Sequence, residues 1–534
     1  MTAGTTGAVD PTDTTRTAGA TGTADTTGTA GAVDPTGRTD TSSAPAGRSR
    51  VRAAIGWSYL LTAGRVGSSI LVTFLLARLL GPTEFGLLAM ALVFITIAQT
   101  LIQQGLVSAI VQRDVLTPAH LDAAFGVLVL AGIGIGLLTA AASPLWALLN
   151  GTPELTAICL ALTPLVLVQA LAIVPEALLR RELRFRAVAQ RTLLAAVLSG
   201  VVGVALALAG AGVWALVGQQ LVNGLVSMVV VWLVCPWRPG RRLRLGAIRE
   251  LWAFSAHSAS AGLGILLSNR ADVIVTGIFF GPVATGIYRL AARLPDLLVD
   301  VTVRSLQQVA LPSLSRLQRE RVAFAAHLTG LQHLGAVAGL PVLGVLAATA
   351  GPLVALLGPQ WAGTETPLRL LCLYGAVNVY GVLLGPALQA VGEPGRLALV
   401  TWIRAVLGVA VLVALGLLLT GLDDVRQATA VALAGIGLQI MVNALAIWLT
   451  VRHTVGTSVV RFLAPTVPAA LAASATALLA PPLADRLAID ALPPLVATGL
   501  VGGGAALLTA ALLAATDRRL RRLVRKGPFL SHSV

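Results

Sequence analysis

The chain has 534 residues, 56% of them hydrophobic and only 11% charged, which puts it outside the range of a soluble globular domain. Its formal net charge of +15 does not point to nucleic acid, because the arginines fall in small clusters between apolar runs and not on one face. Three distant cysteines (Cys159, Cys235, Cys372) and scattered histidines offer no CxxC, Cys/His or catalytic spacing, so neither a disulfide, a metal nor a cofactor is expected.

Residues 1–50 are rich in Thr, Ala, Gly and Asp, and the hexamer GAVDPT occurs at both 7–12 and 31–36. This composition predicts a disordered tail. No cleavable signal is expected ahead of the first apolar run, which would be its own insertion signal. From there to Thr516, apolar runs of about 20 residues recur, each long enough to cross a hydrocarbon core. They predict about fourteen transmembrane helices, at roughly 53–80, 85–111, 120–149, 155–179, 188–209, 213–235, 251–280, 283–310, 326–357, 365–390, 397–420, 427–452, 459–481 and 491–516. Most of the 38 Lys and Arg lie in the N-terminal tail, the even-numbered connections and the tail after 517, whereas the opposite connections hold only Arg426 and Arg486. That asymmetry predicts a multi-pass protein of the inner, cytoplasmic membrane with both termini cytoplasmic.

The chain also repeats itself. Leu79-Leu80-Gly81-Pro82 with Gly86-Leu87 matches Phe279-Phe280-Gly281-Pro282 with Gly286-Ile287 at an offset of 200. Gln112-Arg113 with Ala119-His120-Leu121 recurs as Gln318-Arg319 with Ala326-His327-Leu328, and Val222-Asn223 recurs as Val442-Asn443. The expected fold is an all-α membrane protein with two parallel six-helix bundles, at 51–240 and 241–455, around a central cavity. Two additional helices (456–516) and a basic cytoplasmic tail (517–534) complete the expected organisation.

Ionisable groups inside the apolar helices mark the candidate site, since an Arg at the bilayer centre costs about 3 kcal/mol on insertion scales unless it meets water or a partner. Arg289, Arg293, Asp296, Asp300, Arg304 and Gln307 of the eighth helix are spaced 4, 3, 4, 4 and 3, so they share a sector of about 80°. That stripe must border a hydrated chamber. Its repeat counterpart in the second helix is polar but uncharged, with Thr96, Gln99, Thr100 and Gln103. The seventh helix adds Ser258, Asn269, Arg270 and Asp272, and the first adds Thr62, Arg65 and Ser69. Arginine suits a phosphate, because its planar fork binds phosphate oxygens in pairs and stays charged. Arg65, Arg270, Arg289, Arg293 and Arg304 are therefore candidate substrate-binding cations. Asp272, Asp296 and Asp300 are candidates for ion coupling, and Thr96, Gln99, Thr100, Gln103 and Asn269 for the polar lining. A structural alternative pairs Arg270 with Asp272 and Arg293 with Asp296. The cluster RRELRFR at 180–186 reads as an interfacial segment touching anionic lipids.

The stretches LARLLGPTEFGLLAMALVFITIAQTLIQQGLVSAIVQR (77–113), RRELRFR (180–186) and GAGVWALVGQQLV (210–222) resemble the polysaccharide-transport branch, of Wzx and colanic-acid exporter type, of the multidrug/oligosaccharidyl-lipid/polysaccharide (MOP) exporter superfamily. The resemblance covers residues 50 to 460 and implies an alternating-access flippase for an undecaprenyl-diphosphate-linked oligosaccharide. It further implies a cation-lined cavity and polysaccharide-assembly proteins as partners of a monomeric carrier. The rival readings are a cation-coupled drug exporter of the same superfamily, which calls for a more aromatic and acidic cavity, and a flippase for the peptidoglycan precursor. A membrane-embedded glycosyltransferase or polymerase would need a catalytic domain or long external loop, and every connection here is short. The chain is not expected to be an enzyme.

Overall fold

The computed structural model describes residues 67–112, 118–182, 184–240, 245–419, 421–456, 458–487, 489 and 492–517. Thr62, Arg65 and the two tails, beyond Asp517 at the C-terminal end, lie outside them, as do the side chains of Gln103, Ser258 and Asn269.

The described chain is helical throughout. In the first half run α1 (Gly67–Leu79), α2 (Pro82–Gln112), α3 (Pro118–Leu149), α4 (Glu154–Leu162), α5 (Pro164–Arg181), α6 (Phe185–Leu208) and α7 (Val213–Val234). The second half opens with α8 (Leu245–Val299), a π-helical turn (Asp300–Arg304) and α9 (Ser305–Ser315). It continues through α10 (Arg321–Ala348), α11 (Ala350–Leu357), a short 3-10 turn (Pro359–Trp361), α12 (Glu365–Val379), α13 (Leu384–Ala390), α14 (Pro394–Leu418) and α15 (Asp424–Ile447). The chain ends with α16 (Val459–Leu463), α17 (Val467–Arg486) and α18 (Pro494–Thr516).

Among the described residues, twelve spans are long and apolar enough to cross a membrane. One of them breaks at Gly281, whose φ of 78° no L side chain adopts readily, and Pro282 then starts a new rod with its φ already set. With α1, the rods number fourteen, in the expected order. Exposed leucines such as Leu138, Leu148, Leu233, Leu418, Leu478 and Leu507 stud their outer faces, as a lipid solvent requires.

Several rods are interrupted where the sequence predicts continuous helices. The fourth is interrupted between α4 and α5 at Thr163-Pro164, where proline cannot donate to the preceding turn. The tenth unwinds over 380–383 with no proline present. Neighbouring amides take up carbonyls there: Asn443 Nδ2 donates at 2.6 Å to Val377 O, which also accepts from Tyr380 N at 3.2 Å, and Gln332 Nε2 donates to Val379 O at 3.3 Å. A break in the membrane is tolerated only with such replacement partners.

One hydrophobic core is drawn wholly from residues between Leu76 and Val217. The others come from residues from Ala271 onward, with Ala77 the one buried exception. The two sets of helices meet where α2 packs along α8. At one end the sequence repeat closes on itself. A Cβ on Gly86 would lie 1.8 Å from Pro282 O, and a Cβ on Gly286 would lie 1.8 Å from Pro82 O. Only glycine permits so close a backbone approach, and it does so reciprocally. The same end carries a second fastening: the buried Trp361 donates from Nε1 to Ala77 O at 2.7 Å and stands edge-on to Phe85, with ring centroids 5.6 Å apart. Beside it Gln360 Nε2 donates to Arg78 O at 3.1 Å, and Arg78 Nη1 donates to Leu356 O.

Candidate substrate cavity

Beyond the Gly86 and Gly286 contact the two helix sets diverge around a cavity with two lobes. The first, of about 520 Å³, is walled by α1, α2, α5, α6 and α7 and reaches Arg270, Arg289 and Arg293 on α8. The second, of about 420 Å³, lies among α8, the π turn, α12 and α14. Thr96, Arg270, Arg289 and Arg293 border both lobes and so form the waist between them.

The expected stripe faces this cavity from Arg289 to Arg304: Arg289, Arg293, Asp296, Asp300 and Arg304 all line the second lobe. Gln307 lines neither lobe. The π turn over Asp300–Arg304 has i→i+5 bonds, which shift the register of the residues beyond it and carry Gln307 off the stripe. The structural pairing of Arg270 with Asp272 and of Arg293 with Asp296 is not formed. Arg270, Arg289 and Arg293 make no hydrogen bond or ion pair with another described residue, whereas Arg304 Nε meets Asp300 Oδ1 at 3.0 Å in an exposed pair. Three guanidinium groups are thus left with their donors turned to the cavity, the arrangement that a phosphate oxygen can satisfy in pairs.

Asp272 borders the second lobe and also a small recess of about 80 Å³ shared with Tyr288, Tyr374, Arg404 and Gln439. Its Oδ1 is buried with no hydrogen-bond partner among the described residues, and Arg404 Nη2 is taken up by the Tyr374 hydroxyl at 3.0 Å. Of the polar lining, Thr96 and Gln99 face the first lobe and Thr96 and Thr100 the second. Both threonine hydroxyls donate back to their own helix, Thr96 to Leu92 O at 2.6 Å and Thr100 to Thr96 O at 2.8 Å. The cluster at 180–186 is partly engaged within the protein, since Arg180 and Arg191 both grip Glu176, at 2.7 and 2.8 Å. Among the described residues no group of three or more His, Cys, Asp or Glu is placed to hold a metal.

Two sets of lining residues escape the charge-based reading. Arg404, Tyr374 and Asn378 complete the second lobe, and the single cation within the apolar run 397–420 was a signal for the first of them. Gln169, Gln219, Gln220, Asn223 and Ser199 wall the first lobe. They are uncharged and lie within strongly apolar helices, so hydropathy does not mark them.

The family model described as "Polysaccharide biosynthesis protein" matches residues 75–365. Similar curated proteins include the succinoglycan biosynthesis transport protein ExoT of Rhizobium meliloti (strain 1021), 28% identical over 66% of this chain and 72% of that protein. The lipopolysaccharide biosynthesis protein WzxC of Escherichia coli (strain K12) is 23% identical over 64% of this chain and 70% of its own length. In fold, the chain is similar to the lipid II flippase MurJ in an inward closed conformation, with a TM-score of 0.64, 13% identity and coverage of 86% of this chain and 99% of that one. A multidrug resistance MATE family transporter of the MOP superfamily, in an inward-facing conformation, matches at a TM-score of 0.51 and 16% identity over 71% of this chain and 93% of its own.

Proposed function

The chain belongs to the polysaccharide biosynthesis protein family, and from that premise we propose that it is a flippase carrying a polyprenyl-diphosphate-linked oligosaccharide across the cytoplasmic membrane for cell-surface polysaccharide synthesis. The observation that carries this reading is the trio Arg270, Arg289 and Arg293, which make no hydrogen bond or ion pair with another described residue and stand at the waist of a cavity between two helix sets. In a membrane a cation without a partner is costly, and a diphosphate would satisfy all three.

With both termini in the cytoplasm, the end sealed by Gly86 and Gly286 faces outward and the cavity is reached from the cytoplasmic side. The arginines grip the diphosphate while the prenyl chain stays in lipid. The bundles at 51–240 and 241–455 then rock, the seal parts, and the glycan leaves on the far side. Asp272, with its buried and unpartnered oxygen, is the carboxylate we assign to coupling with a proton or a monovalent cation. Asp300, already paired with Arg304, and Asp296 serve to set the field of the second lobe. Arg180, Arg181 and Arg184 meet anionic headgroups at the cytoplasmic interface.

The test is a deletion strain complemented with Arg293→Ala. Lipid-linked glycan should accumulate on the cytoplasmic face at unchanged abundance of the protein. Unaltered translocation in that strain would defeat the proposal.

A further inference from the structure

The first lobe differs in chemistry from the second. Five amide side chains (Gln99, Gln169, Gln219, Gln220 and Asn223) line it together with Ser199 and Ser69, and none of its described lining residues is a carboxylate. Gln99 donates from Nε2 to Leu165 O and Asn223 from Nδ2 to Ser199 Oγ, each at 3.3 Å. Gln169, Gln219 and Gln220 make no hydrogen bond to another described residue. A primary amide has two donors and an acceptor with two lone pairs, so this wall presents many unmet donors and acceptors and no charge. The repeat does not account for it. Asn443, the counterpart of Asn223, is consumed by structure: its Nδ2 caps Val377 O and its Oδ1 accepts from Gln439 at 2.9 Å.

From this we infer that the first lobe is a glycan subsite: its amides and hydroxyls take the neutral sugar, or the few sugars, adjoining the diphosphate that Arg270, Arg289 and Arg293 hold at the waist. The inference rests on the flippase reading. Vicinal sugar hydroxyls each donate and accept, which is the pattern a planar amide matches with both of its ends. About 520 Å³ lies within the roughly 300–1,000 Å³ of small-molecule sites, enough for the proximal sugars but not for a long chain. The second lobe offers fewer uncommitted neutral groups, since Asp300 is paired with Arg304 and Tyr374 and Arg404 engage each other. Sugar hydroxyls that reproduce the hydrogen bonds of water at such a wall lose little on displacing it.

The test measures binding of two kinds of probe to the full chain in nanodiscs. One is undecaprenyl diphosphate, and the other is the same lipid carrying a single glucose, galactose or N-acetylglucosamine. The wild type should prefer at least one sugar-bearing probe to the bare diphosphate by about ten-fold. Gln220→Ala and Gln169→Ala, made separately so that either can stand if the other misfolds, should each cut that preference about five-fold while leaving affinity for the bare diphosphate unchanged. Arg289→Ala should weaken both probes alike. A wild type that binds both kinds equally, or amide variants that weaken both equally, would overturn the glycan subsite and leave the flippase reading standing. A wild type that binds neither would remove the flippase reading itself.

Discussion

The two helices that face each other across the cavity, α2 and the part of α8 after Gly281, are copies that kept their geometry and changed their chemistry. At the shared offset of 200, Ala89, Val93, Thr96 and Thr100 correspond to Arg289, Arg293, Asp296 and Asp300, and all eight line one lobe or the other. The Gly-Pro turn and the reciprocal glycine contact fix how each rod leaves the seal, and hence which residues look inward. What those residues are is then free to diverge. One wall is cationic and acidic while the other is neutral and, with α5, α6 and α7, rich in amides.

The hardest blow to this asymmetry is the double variant Arg289→Ala/Arg293→Ala, which makes the cationic wall resemble its neutral twin. Charge-assisted hydrogen bonds contribute about 1.5–3 kcal/mol each, so translocation of lipid-linked glycan should fall by about 100-fold or more at normal abundance, as measured by glycolipid on the outer face. Gly86→Ala attacks instead what the copies share. Its Cβ would meet Pro282 O at 1.8 Å, and backbone atoms cannot step aside, at an overpacking cost of about 1–3 kcal/mol. A cysteine at Thr73, inside the cavity, should then react faster with a membrane-impermeant thiol reagent added from outside. Gly286→Ala should do the same to a similar extent, whereas a one-sided effect would show that the contact is not reciprocal in function.

A smaller change is expected from Asn443→Ala, which removes the 2.6 Å donor to Val377 O and the acceptor of the buried Gln439 amide and should lower thermal stability in detergent by about 1–3 kcal/mol. Asn223→Ala, its counterpart, loses only a 3.3 Å contact to Ser199 and should lower stability less, which separates the structural copy from the substrate-facing one. Arg304→Ala should be the mildest. Its side chain is exposed and already paired with Asp300, an arrangement contributing about 0–1 kcal/mol, so transport should change less than about three-fold. A loss as large as that of Arg293 would mean that pairing does not distinguish the cations.

The helix count, the repeat and the charged stripe were legible because each is written in one segment at a time: apolar length gives a span, and 3–4 spacing gives a face. The features that were not legible depend on a partner far along the chain. Nothing local in Tyr380-Gly381-Val382-Leu383 announces an unwound segment, since it exists only where Asn443 and Gln332 take over the carbonyls. The amides on α5 and α7 look like occasional polar residues until the fold collects them on one wall. Gln307 fell off the stripe because a π turn is invisible to a fixed 100° period. Arg404 was visible by the same rule that exposed Arg293, and it stood alone in its helix.

The Gly86 and Gly286 contact also bears on the electrical tightness of the membrane. A carrier with a wide aqueous vestibule leaves little material between the two solutions, so nearly the whole transmembrane voltage drops across its plug. Two backbones pressed together without intervening side chains leave no room between them at that point for a file of water along which protons could hop. An idle copy of this protein is therefore expected to conduct few protons, which a leak measurement on Gly86→Ala against the wild type in liposomes would check.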